Sequence, residues 1–433
     1  MKKFVLQRRI STENLPGDLR DVSVGCYECH GRNPESHQDN FEHFGFKINV
    51  IVTPNDCKTC HPVEVGQFAG SKKSHAYKNL MENPVYLALV NSVTGIKRSV
   101  GGKITSENPS QFTLHETCLG CHGTKVEMKG LKNVTTKIGE VAFPVLTNWP
   151  NQGVGRINPD GSAGACTACH ARHGFSIEMA RKPYTCSQCH LEPDVPAWNV
   201  YDESKHGDIY FSKYHDWDFH AVPWTVGKDF RAPTCATCHN SLVVSPTGNV
   251  IAERSHNFGA RLWVRIFGLI YSHPQPRSGD TTLIRNKDNL PLPTAFTAEP
   301  ASDYLIDSAE RGRRLNAMKD LCNGCHSTGW ANGHFEKFEN TLKETNEMTL
   351  TATNLLGEAW AKGIEDKSNP FDEAIEQMWI RQWLFYSNSI RFASAMTGAP
   401  DYTAFKNGWW YLTENLRQMK DLIKIKKNER EKD

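Results

Sequence analysis

The sequence predicts a mainly α-helical fold with little β structure, a core filled largely by bound groups, and long helices toward the C-terminal end. Three observations predict it. Seven times a Cys-x-x-Cys is followed at once by His, and these copies use all 14 cysteines of the 433-residue chain. Between the first six copies run segments rich in Gly, Pro, Asn and Asp, such as Trp149 to Gly161, in which strand-like alternation is scarce. Beyond residue 370, aromatic and aliphatic residues recur at three- and four-residue spacing, the period of a helix face.

The seven motifs are Cys26/Cys29/His30, Cys57/Cys60/His61, Cys118/Cys121/His122, Cys166/Cys169/His170, Cys186/Cys189/His190, Cys235/Cys238/His239 and Cys322/Cys325/His326. In this motif the two thiols form thioethers to a porphyrin, and the adjacent imidazole becomes the proximal iron ligand. A structural zinc site needs two Cys pairs, or one pair and a downstream His pair, and does not require His after every second Cys. A thioredoxin-like redox pair occurs once, near a βαβ pattern. The count therefore predicts seven covalently bound haem c groups, with iron on the seven motif histidines, and leaves no cysteine for a disulfide. At one macrocycle per roughly 60 residues, porphyrin takes much of the interior, which suits an apolar content of only 39%. The fold class is that of a multihaem cytochrome c.

Three parts follow along the chain. Residues 1–271 read as a core carrying six haems, 272–303 as a Pro-rich, surface-crossing loop, and 304–433 as a helical part with the seventh haem and long packing or oligomerisation helices. Ile375, Trp379, Trp383, Tyr386, Ile390 and Ala393 share one helix face, and Gly398-Ala399-Pro400 ends that helix. Trp409, Leu412, Leu416, Met419 and Ile423 follow a 3-4-3-4 spacing, the seam of a packed helix pair. Packing within one subunit is favoured for these faces over a contact between subunits. The tail from Lys424 to Asp433 carries mixed charge and reads as a solvated end.

Of 18 histidines, eleven remain after the proximal set. A six-coordinate bis-His iron carries electrons and has no place for substrate, so the distal histidines decide which haems can do chemistry. His173 lies too near His170 to reach round the same ring, so as a ligand it serves a neighbouring haem and draws two macrocycles together. The other distal candidates are His43 (or His37), His75, His115, His206 and His256, with His215, His220, His273 and His334 less favoured. No histidine lies between His122 and His170, which points to an open distal face at the haem on Cys118 and Cys121.

Composition excludes some classes. Fifty basic against 48 acidic residues give a formal charge of +2, and no long basic patch suggests nucleic acid. The start Met-Lys-Lys-Phe-Val-Leu meets Gln7, Arg8 and Arg9, which interrupt a signal-peptide apolar region. No apolar run reaches membrane-spanning length; the best, Leu262 to Tyr271, contains Arg265. A soluble, periplasmic or otherwise extracytoplasmic protein is expected, because haem c is attached outside the cytoplasm.

From Ala165 to His239 the residues resemble the octahaem hydroxylamine oxidoreductase family. The stretches that carry the resemblance are Ala165-Cys-Thr-Ala-Cys-His-Ala-Arg-His-Gly-Phe-Ser176, Ala180-Arg-Lys-Pro183, Glu203-Ser-Lys-His-Gly207 and Ala232-Pro-Thr-Cys-Ala-Thr-Cys-His239. The similarity extends over Cys57 to His75 and, more loosely, the C-terminal helices. It implies a predominantly helical, commonly trimeric protein with bis-His haems around one catalytic haem. It also implies that Cys118/Cys121/His122 is the counterpart of the catalytic haem, and that the family's first haem has no match here. Where the family places an Asp-His pair over the open site, this chain has Asp194 and Val195. Where relatives often have a His before a Gly-aromatic pair, it has Asn407-Gly408-Trp409.

The expected function is thus redox conversion of a small nitrogen compound (hydroxylamine, nitrite or hydrazine) at the haem on His122, with Asp194 as acid or proton relay. Tyr402 lies near where oxidising members place a tyrosine crosslinked to the catalytic haem, although a buried, hydrogen-bonded role is favoured for it. The expected redox partner is a smaller cytochrome or a quinol-linked module. The alternative is a cytochrome that only carries electrons, having lost catalytic competence at Val195 and Asn407.

Overall fold

The computed structural model describes residues 24–101, 103–137, 139–267 and 270–432. The N-terminal run Met1 to Arg9, and part of the apolar run from Leu262 to Tyr271, lie outside the described residues. About 47% of the chain is helix and 13% strand, the mainly α architecture that the composition predicts.

Up to residue 240 the helices are short and stop-start. Pro54–Lys58, Pro62–Ala69, Pro84–Thr94 and Pro183–Ser187 each begin on proline, whose fixed φ suits the first helical position. Most are one or two turns, too short to persist alone, so their packing must hold them. Between them stand hairpins that the sequence did not announce. Ile96–Val100 pairs with Lys103–Glu107, and Met128–Thr136 with Gly139–Leu146, both antiparallel. Their apolar residues, among them Val100, Ile104, Leu131 and Val145, are exposed. The first covers no core, and in the second Phe143 packs on buried Phe41 from a run, 141–144, that is half-buried at every position, so the alternation that betrays a half-buried strand is absent from their sequence.

The C-terminal part is built differently. Ser308–Asn323 starts at Asp307, whose side chain accepts from the Glu310 N–H, and Thr328–Ala361 starts at Ser327, which accepts from the Trp330 N–H. Ala374–Ile380 runs through the wider turns of Arg381–Ser387 into Asn388–Ala395, and Trp409–Arg430 closes the bundle. One apolar cluster joins Ala352, Leu356, Ile375, Trp379, Trp383, Met419 and Ile423. The faces at 375–393 and 412–423 therefore pack within this chain.

That cluster also takes in Val85, Tyr271 and Leu292, so helix Pro84–Thr94 and the Pro-rich segment share the C-terminal core. The surface-crossing reading of residues 272–303 is overturned: His273, Gln275, Thr281, Ile284, Leu292 and Ala295 are all buried. Its backbone survives burial because side chains satisfy it. Asn83 donates to the Pro291 carbonyl at 2.9 Å, Asn79 accepts from the Thr281 N–H at 2.9 Å, and Asn286 donates to the Thr294 carbonyl at 3.0 Å. Among the described residues no helix is long and apolar enough to cross a membrane.

Candidate functional site

Each Cys-x-x-Cys-His closes a single helical turn. The His N–H donates to the first Cys carbonyl at 2.8 Å in His61 and His326 and at 3.0 Å in His170 and His190. Such a turn sets the two sulfurs, three residues apart, on one face with the imidazole just beyond. Every cysteine is unbridged. Nδ1 of His30 donates to the Asn49 carbonyl at 2.8 Å, and Nδ1 of His122 to the Ala76 carbonyl at 3.0 Å. A bond of this kind fixes the tautomer and reserves the Nε2 lone pair for a metal.

Three of the distal candidates stand opposite proximal rings. His173 faces His30 at 6.4 Å between ring centroids, His256 faces His170 at 6.4 Å, and His206 faces His326 at 6.2 Å. Two imidazoles on one iron, each nitrogen about 2 Å from the metal, put their ring centroids roughly 6.3 Å apart. His173 thus comes to the motif at Cys26 and not to its own neighbour, which brings two distant turns of chain together.

The remaining candidates are not brought opposite a proximal ring. His43 lies beside Phe44 at 4.3 Å, and Nε2 of His75 is 3.1 Å from the Ala69 carbonyl. His115 keeps a buried Nε2 with no partner, and so does His273, whose Nδ1 is 2.7 Å from the Pro274 carbonyl. His37 is unavailable to iron: its two ring nitrogens meet Asp39 at 2.9 Å and Asp56 at 3.1 Å. His220 is engaged by Glu178 at 3.1 Å, His215 stacks on Tyr214 at 3.8 Å, and His334 stacks on Trp330 at 5.4 Å.

Sulfur neighbours trace how the haem sites connect. Cys57 lies within hydrogen-bond reach of Cys166, Cys121 of Cys189, and Cys186 of Cys235. Cys29 sits near Cys60, and Cys238 near Cys322. The sites therefore run from Cys26 through Cys57 and Cys166. At Cys186/Cys189 the line forks, one arm reaching Cys118/Cys121 and the other Cys235 and Cys322. One position on this line escaped the sequence: Nζ of Lys73 lies 3.3 Å from Nε2 of His190, 117 residues along the chain.

The turn at Cys118–His122 rests on the loop at 151–156. Val154 N–H donates to the Cys121 carbonyl at 2.9 Å and Asn151 to the Leu119 carbonyl at 3.0 Å. Gly123, at φ +93°, passes so close to the Arg156 backbone that a Cβ would collide there. Asp194 comes to this turn from the segment after His190 and bears electrostatically on Cys118, Cys121 and His122 alike. Protein crowding pushes its carboxyl up from the usual range, against the pull of two backbone N–H donors and His122. Asn388 holds the segment by donating to the Asp194 carbonyl at 3.0 Å.

Val195 packs with Val200, Phe392, Ala393 and Tyr402. Tyr402 is 1% exposed and its hydroxyl donates to Glu192 at 3.4 Å. Burial, then the Glu192 charge, pushes that hydroxyl above the ordinary tyrosine range. Tyr402 thus shares a wall with Asp194 while its hydroxyl is committed to Glu192.

Comparison with known proteins accords with this layout. Residues 160–259 match the family model described as seven times multi-haem cytochrome CxxCH, and residues 56–142 that of cytochrome c554 and c-prime. The chain is similar, at 24% identity over 385 residues, to the probable nitrite reductase-hydroxylamine oxidoreductase fusion protein of Kuenenia stuttgartiensis. The alignment covers 78% of this chain and 42% of that protein, so the chain spans less than half of its curated relative. The fold also matches the K. stuttgartiensis reducing HAO-like protein complex, with a TM-score of 0.62 at 17% identity over 94% of this chain and 76% of that one. A solved hypothetical multiheme protein superposes with a TM-score of 0.89 at 44% identity, over 97% of this chain and 88% of that one. The chain belongs to the multihaem c-type cytochromes.

The cytochrome carries covalently bound haem c, and its own residues fit that group. Paired free sulfurs, imidazoles with Nδ1 already engaged, and facing rings at the spacing of a shared iron are the donor set that a six-coordinate haem requires. Among the described residues no cluster of three His, Cys, Asp or Glu side chains forms an alternative metal site.

Proposed function

We propose that this cytochrome is a seven-haem oxidoreductase converting hydroxylamine, nitrite or hydrazine at the iron held by His122. The other haems relay electrons, and His173, His206 and His256 are distal ligands to three of them. The observation that carries the reading is Asp194, an exposed residue whose carboxyl bears on both sulfurs and the imidazole of the Cys118–His122 turn. Haem iron there supplies a redox centre and a Lewis-acidic position for a small ligand. The chain supplies the rest. Ala76 orients His122, Asn388 anchors the Asp194 segment, and the Asp194 carboxyl, its proton affinity raised above the usual carboxylate range by desolvation, is the group placed to pass a proton to the substrate.

Val195 supports a second reading, a pure electron carrier. It fills with packed hydrocarbon the place where the family keeps a proton-shuttling His. Ferrous protein is expected to bind carbon monoxide at the His122 haem, and ferric protein to give a high-spin EPR signal. Asp194→Asn is expected to lower turnover about 100-fold with that carbon monoxide binding retained. A spectrum of six-coordinate low-spin haem alone selects the electron carrier. We further propose an extracytoplasmic location, a trimer, and a small cytochrome or quinol-linked module as redox partner. The relative's printed role as a nitrite reductase-hydroxylamine oxidoreductase fusion supports placing the protein in a redox assembly.

A further inference from the structure

We propose that Lys73 is the distal ligand of the haem iron held by His190, which makes this haem His–Lys ligated among neighbours ligated by two imidazoles. Nε2 of His190 is pledged to iron by its place in Cys186-Ser-Gln-Cys189-His190. Whatever donor stands across from that nitrogen faces the same metal. At His30, His170 and His326 it is a second imidazole. At His190 it is the Lys73 amine, 3.3 Å from Nε2. Two donors on one iron stand about 4 Å apart, so the amine has to withdraw by under about 1 Å, well within the reach of a four-carbon side chain.

Nothing else claims that amine. Among the described residues its sole hydrogen-bond partner is His190, and no carboxylate lies within ion-pair distance of it. Its other contact is the Phe258 ring, 5.0 Å from Nζ. The neighbouring Lys72 turns away to Gln275 at 2.8 Å. The loop that presents Lys73 is rigidly built: buried Ser74 bonds the Ala69 and Ser71 carbonyls at 2.9 Å each, and buried Ser71 bonds the Phe68 carbonyl at 2.6 Å. His75, two residues on, is tied to the Ala69 carbonyl. An amine must be deprotonated to ligate, so iron binding releases its proton.

The position matters because Cys189 adjoins Cys121 and Cys186 adjoins Cys235. The His–Lys haem is then the fork through which electrons pass between the His122 site and both arms of the relay. Axial ligand identity is a principal lever on haem potential, so this haem is tuned apart from its bis-His neighbours.

The test uses the purified full-length holoprotein, with near-infrared magnetic circular dichroism and EPR. Wild-type protein is expected to show one amine-ligated low-spin haem. Lys73→Ala is expected to convert one haem equivalent from low to high spin and to add one equivalent of carbon monoxide binding, with the covalent haem count by mass unchanged. Lys73→His is expected to restore a low-spin, bis-imidazole signature. His75→Ala is expected to leave the amine signature intact. Only bis-imidazole signals in wild type, an unchanged spin count in Lys73→Ala, or opening of a haem by His75→Ala instead would each overturn the assignment. Should Lys73→Ala fail to mature, the wild-type spectrum still decides. The wild-type high-spin haem tests the function proposed at His122 separately, because the Lys73 assignment is read from a gain over that baseline.

Discussion

The stretch up to residue 271 and the bundle from Ser308 to Arg430 solve the same problem with different materials. The first is made mostly of helices of one or two turns and small hairpins, with apolar clusters scattered among them. The second has helices of 16, 34 and 22 residues; the two longer ones share one large apolar cluster, and the 16-residue helix packs in a smaller one with Trp263, Phe335, Phe338 and Leu342. Seen together they show that covalent prosthetic groups can replace side-chain packing. A segment that is bonded to porphyrin at two sulfurs and one imidazole needs neither long helices nor a large core of its own.

The largest effect that would break this comparison comes from blocking haem attachment. Protein made without haem insertion is expected to keep helical circular dichroism and amide protection in residues 308–430 while residues 24–240 lose protection. Uniform protection, or uniform loss, would mean that the two parts are not held by different means. The second test lies in the bundle. Trp379 is fully buried, donates to Thr353 at 2.8 Å, and meets Phe296, Phe371 and Trp383. Trp379→Ala is expected to cost about 4 kcal/mol in thermal unfolding of the bundle, and to leave the haem absorption spectrum unchanged before the transition.

The smallest of the three sharpens the account of the haem-bearing part. Burial alone would push His37 down, but the Asp39 and Asp56 carboxylates outweigh it and hold the imidazole protonated, up to about 10. Its folded value lies above its unfolded value, so the stability it contributes is fully present below about pH 6.5. That contribution is lost as pH rises from there through about 10. His37→Gln is expected to cost about 3 kcal/mol at pH 6, by leaving two buried carboxylates short of a cation, and to flatten stability between pH 7 and 10. An unaltered pH profile in the variant would remove His37 as the origin.

Legibility followed locality. The proximal histidines and thioether cysteines were readable because the whole chemical unit fits in five consecutive residues. The helix faces at 375–393 and 412–423 were readable because a period of 3.6 is written along the chain. The hairpins at 96–107 and 128–146 were not, since a fully exposed strand, like one half-buried at every position from 141 to 144, leaves no alternation. The Pro-rich segment 272–303 misled for a related reason: composition said loop, and only Asn79, Asn83 and Asn286 show how a loop backbone can be buried with its polar groups satisfied.

By itself the sequence determined that this chain binds haem c, at which cysteines and histidines, within a mainly helical frame. Tertiary structure alone decided which side chains stand opposite the motif histidines. His173 faces His30, His256 faces His170 and His206 faces His326, the pairs proposed to share an iron, while His43, His75 and His115 have their contacts elsewhere among the described residues and Lys73 meets His190. The physical reason is that a porphyrin separates its two axial donors by its own thickness in space and by no fixed interval along the chain. A distal ligand therefore carries no spacing that a sequence could display.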